Sequence, residues 1–96
     1  MDNRKPRLAL FNSRAVRTAV PGTSEEDFET YATYYANGSG QFNAKLKLVR
    51  RTDGRLLYPF EGASPIGPYA TGKLAIDAAL AVAQKIIAAD LAHPEL

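Results

Sequence analysis

Ninety-six residues with no cysteine and a net charge of +2 make one small domain with neither a disulfide framework nor a thiolate metal site. No run approaches the roughly 20 apolar residues of a membrane-spanning helix. Arg4, Lys5 and Arg7 precede only Leu8–Phe11 as an apolar run, too short for a secretory signal, so the sequence points to a soluble cytoplasmic protein.

Residues 1–24 carry weak signals. Leu8–Phe11 suits a short strand, and Ser13–Val20 suits a helical turn or a second strand. Residues 1–6 offer no apolar periodicity and are expected to be dispensable for folding. Pro21-Gly22-Thr23-Ser24 is a break. Phe28–Ala36 (FETYATYYA) is rich in Tyr and Thr and reads as a strand, with a helix starting at Ser24 as its competitor. Alternation sends Tyr31 and Tyr35 to one side of that strand and Phe28 and Tyr34 to the other. Asn37-Gly38-Ser39-Gly40 is a turn.

Gln41–Arg51 is the better strand. Phe42, Ala44, Leu46 and Leu48 alternate with Asn43, Lys45, Lys47 and Val49. Thr52-Asp53-Gly54 signals a tight turn. Arg55–Phe60 then gives a third strand with Leu56, Tyr58 and Phe60 on one face, which Pro59 confines to an edge or ends. Residues 61–72 form an irregular Gly/Pro loop.

Residues 73–92 hold no Gly or Pro and are rich in alanine, the best helix former. At 100° per residue, Ile76, Ala79, Leu80, Ala83, Ile86 and Ile87 share one side, opposite Lys73, Asp77, Gln84 and Lys85. Thr71 is placed as N-cap, with Gly72 in the first turn and His93-Pro94 as the stop. Both Leu80→Asp and Ile87→Asp are expected to unfold the domain. Asp90 lies near the apolar arc, so the last turn is expected to fray or to sit at the edge of the contact. The fold class is therefore α+β: a three-stranded antiparallel sheet with one long C-terminal helix across one face, and an N-terminal segment left open.

Charge falls in blocks of +4 (1–23), −4 (24–36), +4 (37–60) and −2 (61–96). The third block holds Lys45, Lys47, Arg50, Arg51 and Arg55, among the aromatics Phe28, Tyr31, Tyr34, Tyr35, Phe42, Tyr58 and Phe60. Cations beside rings suit nucleic acid, because the cations meet phosphates and the rings stack on bases. The bland reading is an ordinary exposed sheet face, where tyrosine and lysine are common. The acids Glu25, Glu26, Asp27 and Glu29 show no calcium-loop spacing and read as a solvated stretch.

Gly67–Lys73 (GPYATGK) matches the first seven positions of a phosphate loop, but Leu74 stands where the Mg²⁺-binding hydroxyl belongs. What survives is an anion contact at the helix start through Gly72 and Lys73, against the plainer reading of a loop that caps a helix. His93, the only histidine, reads as a solvated tail residue. No serine sits in a nucleophile elbow. The reading is non-enzymatic and implies no cofactor and no metal.

The order strand, strand, strand, alanine-rich helix, with a Gly-bearing loop before the helix, spans roughly residues 28–92. It is similar to the core of double-stranded RNA-binding domains and to the plan of AP2-type and integrase arm-type DNA-binding domains. The RNA-binding family places lysines at the start of its last helix, where this chain has Lys73. The AP2 type reads DNA with its sheet, where this chain has Lys45 and Lys47. The likeness lies in the pattern of elements, and neither family's signature residues are matched. The leading expectation is a binding module that meets nucleic acid through the basic hairpin. The alternative is a protein-interaction module, or a homodimer, that uses the exposed sheet face or edge.

Overall fold

A computed structural model describes residues 18–96. The expectations for Leu8–Phe11, for most of Ser13–Val20 and for the dispensability of residues 1–6 lie outside the described residues. The elements are β1 (Phe28–Ala36), β2 (Phe42–Arg50), β3 (Arg55–Tyr58), β4 (Ile66–Tyr69) and α1 (Gly72–Ala92). The competing helix at Ser24 is reduced to a single 3-10 turn, Glu25–Asp27. Asp27 closes that turn by accepting from the Thr23 amide at 2.7 Å and the Thr23 hydroxyl at 3.1 Å.

β1 and β2 form a long antiparallel hairpin that runs from Phe28 opposite Arg50 to Ala36 opposite Phe42. At its turn the Asn37 amide donates to the Gln41 carbonyl, and the Asn37 side chain accepts from the Ser39 amide. Asp53 directs the second turn by accepting from the Arg55 amide at 3.0 Å. β2 is thus the central strand, with β1 on one flank. The other flank is shared end to end, β3 pairing near Leu48–Arg50 and β4 near Phe42 and Ala44.

Two details differ from the sequence reading. The stretch 61–72 is not wholly irregular, because Ile66 turns into the core and carries β4 onto β2. β3 also contains a bulge. Leu48 faces Tyr58 and Val49 faces Leu56, so Leu57 is an extra residue. Leu57 and Tyr58 are therefore both buried, while Leu56 and Phe60 are exposed, and the expected Leu56-Tyr58-Phe60 face does not form. The strand ends before Pro59.

The helix lies across one face of the sheet, over β1, β2 and β4. Thr71 caps it, its hydroxyl accepting from the Leu74 amide at 3.1 Å. Its buried spine is Ala75, Ala79, Ala83, Ile87 and Asp90. Alanine at three successive turns lets the helix approach Ala44, Leu46 and Leu48 closely, and Leu48 is fully buried. The core arc is rotated from the expected one. Ala75 joins it, Ile76 and Ile86 sit at its margins, and Leu80 is 43% exposed. The bulky residues flank the contact because the small ones define its axis. Asp90 does not fray; it is buried against Arg50.

Candidate interaction surface

The helix covers one face of the hairpin and leaves the other uncovered among the described residues. Register builds that open face. Tyr31 stands opposite Lys47, Thr33 opposite Lys45, and Tyr35 opposite Asn43. Each lysine leans over a tyrosine. Lys45 Nζ lies 5.6 Å from the Tyr35 ring centroid, and Lys47 Nζ lies 5.8 Å from that of Tyr31. These are cation–π distances, of modest strength at an exposed site. The Tyr31 hydroxyl donates to Glu29 at 2.9 Å, which raises the phenol's pKa through the hydrogen bond and the nearby negative charge. Val49 and its partner Leu56 carry the face onward with apolar surface.

Beside Lys45 and Lys47, β3 has ended and β4 has not begun. A groove of about 560 Å³ opens there, lined by Tyr31, Thr33, both lysines, Tyr58 and Phe60 among others. Its signal in the sequence is the pair Pro59 and Pro65, which breaks the third strand and bends the chain away before β4.

The five basic residues of the hairpin do not form one patch. Arg50 is a correction: its inward parity, shared with Ala44, Leu46 and Leu48, buries it completely, so it meets no external ligand. Its guanidinium is bound by Asp53 (Nη2 to Oδ2, 2.7 Å) and Asp90 (Nη1 to Oδ2, 3.0 Å). Arg51 is exposed and faces Glu29 at 3.8 Å. Arg55 pairs with Glu95 at 2.8 Å. Among the described residues, only Lys45 and Lys47 of the five have no carboxylate partner.

The helix start offers little to an anion. Thr71 occupies the Leu74 amide, and Lys73 Nζ pairs with Asp77 at 2.8 Å. Gly72 serves packing instead, since a Cβ there would lie 2.6 Å from the Tyr34 ring. His93 is the helix C-cap, its amide donating to the Ala89 carbonyl at 2.8 Å. Among the described residues, no group of three or more His, Cys, Asp or Glu side chains is arranged to hold a metal ion. No helix among them is long and apolar enough to cross a membrane.

No curated protein matches the chain, and no solved structure matches it. Residues 23–95, from the 3-10 turn through the sheet to the end of the helix, match the model of a family of unknown function, DUF6723, and the chain belongs to that family.

Proposed function

We propose that this protein is a non-enzymatic interaction module that binds another protein through the open face of β1 and β2. The observation behind the reading is the composition of that face. Tyr31, Thr33, Tyr35, Lys45, Lys47, Val49 and Leu56 mix rings, apolar surface and two cations that have no carboxylate partner among the described residues. Tyrosine beside apolar side chains supplies the rigid contact area that protein interfaces favour. The two lysines suit a partner with an acidic rim. Three of the five hairpin cations are occupied by the chain's own acids, which works against a phosphate-led interface. We place the protein in the cytoplasm, as nothing in a cysteine-free chain calls for an oxidising compartment.

Nucleic acid is the second reading, supported by the two Tyr–Lys pairs, whose rings and cations suit the bases and phosphates of a strand. With two lysines available, such binding would be weak and steeply reduced by salt.

The test compares nuclease-treated capture by the wild-type chain with capture by a Lys45→Glu, Lys47→Glu double variant. Both side chains point away from the core, so the variant keeps its fold. The expected result is a defined protein that the wild type retains and the variant loses. Capture abolished by nuclease, or identical for the two chains, overturns the reading. Shifts of the residue 43–49 amides on adding short DNA or RNA at low salt would install nucleic acid in its place.

A further inference from the structure

The outer edge of β1 points to a partner that the open face does not name. β1 is a nine-residue edge strand, FETYATYYA, with one charged residue and no proline. No strand among the described residues pairs with its outer edge. Natural edge strands are usually blunted by lysine, proline, a bulge or shortness, and β1 has none of these. The layer beneath it is also unfinished. Thr30 and Tyr34 share the inward parity of Phe28 and lie on the helix side, yet both are exposed, Tyr34 by 51%. On the helix, Val82 and Ile86 flank the spine toward β3 and β4, where they line a groove with Tyr58, Phe60 and Tyr69. By the 100° step, Leu80 flanks the spine on the opposite side, toward the β1 edge. An apolar ledge of Tyr34 and Leu80 therefore runs beside an open strand.

We infer that a second copy of this chain completes this edge. The two β1 strands pair antiparallel about a two-fold axis at Ala32 and form one continuous sheet. Such an isologous contact must be complementary to itself, and this register is. Thr30 meets Tyr34 of the partner subunit, and Tyr31 meets Thr33 of the partner subunit. Glu29 meets Tyr35 of the partner subunit, whose ring carries a lysine, so opposite charges are brought together and like charges are not. The helix layer fits as well. The helix rests on β1 as well as on β2 and β4, and strands lie about 4.8 Å apart, so an axis centred on β2 sits roughly 7 Å from the new seam. At that distance the two helices meet across the seam through side chains that reach toward it, Leu80 first. Gly72 lies against Tyr34 and Asp90 pairs with Arg50, which stands opposite Phe28. The helix midpoint near Leu80 therefore lies beside the strand midpoint at Ala32, and the two-fold axis brings Leu80 of both copies together. The open faces of the two copies remain exposed and become continuous.

Sedimentation and light scattering of the full chain across a dilution series test it, alongside Leu80→Lys. That variant would face two ammonium groups across the seam without touching the buried spine, Lys45 or Lys47. The wild type should approach twice the 10.4 kDa chain mass as concentration rises. Leu80→Lys should stay at the chain mass with an unchanged melting curve, and the outward-facing β1 amides, which β2 does not bond, should gain hydrogen-exchange protection only in the wild-type dimer. A wild type that stays at the chain mass overturns the inference. So does a Leu80→Lys variant that dimerises as readily. Outward-facing β1 amides equally protected at every dilution would show the edge already covered in the single chain and overturn it too. Partner capture through Lys45 and Lys47 is read separately, so either idea can fail alone.

Discussion

Asp90, in the last turn of the helix, places both carboxylate oxygens 3.0 and 3.1 Å from Nη1 of Arg50, forty positions earlier on the central strand. The remaining guanidinium donors are also used. Nε and Nη2 donate to Asp53 at 3.2 and 2.7 Å, and Nη2 donates to the Glu95 carbonyl at 2.8 Å. The acids outnumber the base, and backbone amides supply the balance. Val20 and Arg55 donate to Asp53, and Glu95 donates to Asp90. One buried cation thus ties together the β2–β3 turn, the segment before β1 and the C-terminus of the helix.

Removing the base should cost far more than a surface ion pair would, because it leaves the buried carboxylates of Asp53 and Asp90 without their cation. Arg50→Ala is expected to lose about 3–5 kcal/mol. The whole domain has about 5–15 kcal/mol, so the variant should sit near unfolding. Urea denaturation gives the comparison, with Lys73→Ala as the control. Lys73 makes an exposed pair with Asp77, and such pairs contribute little on a helix surface. Equal midpoints for the two variants would show that the network does not hold the helix end.

The same network sets an acid limit. The Arg50 guanidinium bound to Asp53 holds that carboxyl far below its ordinary 3.8; the Val20 and Arg55 amides help, and burial opposes them. A carboxyl whose folded pKa is depressed adds stability above its unfolded pKa and loses it as pH falls toward the folded one. Stability should therefore be flat near neutrality and fall progressively below about pH 4. Asp53→Asn should start less stable at pH 7 and show a shallower fall. A wild-type chain equally stable at pH 7 and pH 2.5 would contradict this.

Ile87→Asp and Leu80→Asp should separate cleanly. Ile87 is 5% exposed on the helix spine, and Leu80 is 43% exposed beside it. An unpaired carboxylate at 87 should unfold the domain. At Leu80 the fold should survive with a loss of about 1 kcal/mol or less, by circular dichroism and cooperative melting. Equal loss would put the helix back in the orientation its hydrophobicity suggests.

That orientation shows where sequence reasoning stops. Local alternation located β1, β2 and the hairpin faces, because one buried face imposes a period of two on Phe42–Leu48. Thr71 and the unbroken 73–92 run located the helix. The helix azimuth was hidden, since the contact axis is made of alanines that hydropathy ranks below Leu80. β4 was hidden because two residue pairs and a bulge leave no period to read. The Arg50 correction has the same origin. A charged side chain suits solvent and a phosphate contact, and the acids that let Arg50 stay inside on the side of Leu48 lie in a turn and forty residues away.

Gly67 fixes the approach of β4 to β2. Its φ of +126° lies where L side chains are strained, and an added Cβ would come within 2.8 Å of Asn43 Nδ2 and 3.1 Å of Asn43 Cα. The backbone atom cannot swing away, and the Asn43 amide already donates to the Ile66 carbonyl at 3.4 Å. Gly67→Ala should therefore carry both the strain cost, about 1–3 kcal/mol, and an overpacking cost of about 1–3 kcal/mol. Gly38 isolates the first of these, since its φ is +86° and nothing lies within 4 Å of the added methyl. Denaturant midpoints should rank wild type above Gly38→Ala and Gly38→Ala above Gly67→Ala. Hydrogen exchange should accelerate at Ile66–Tyr69 in the Gly67 variant alone, because β4 has only two paired positions with which to resist displacement. If the two glycine variants melt together, with β4 equally protected in both, the close contact with Asn43 does not hold β4 in place.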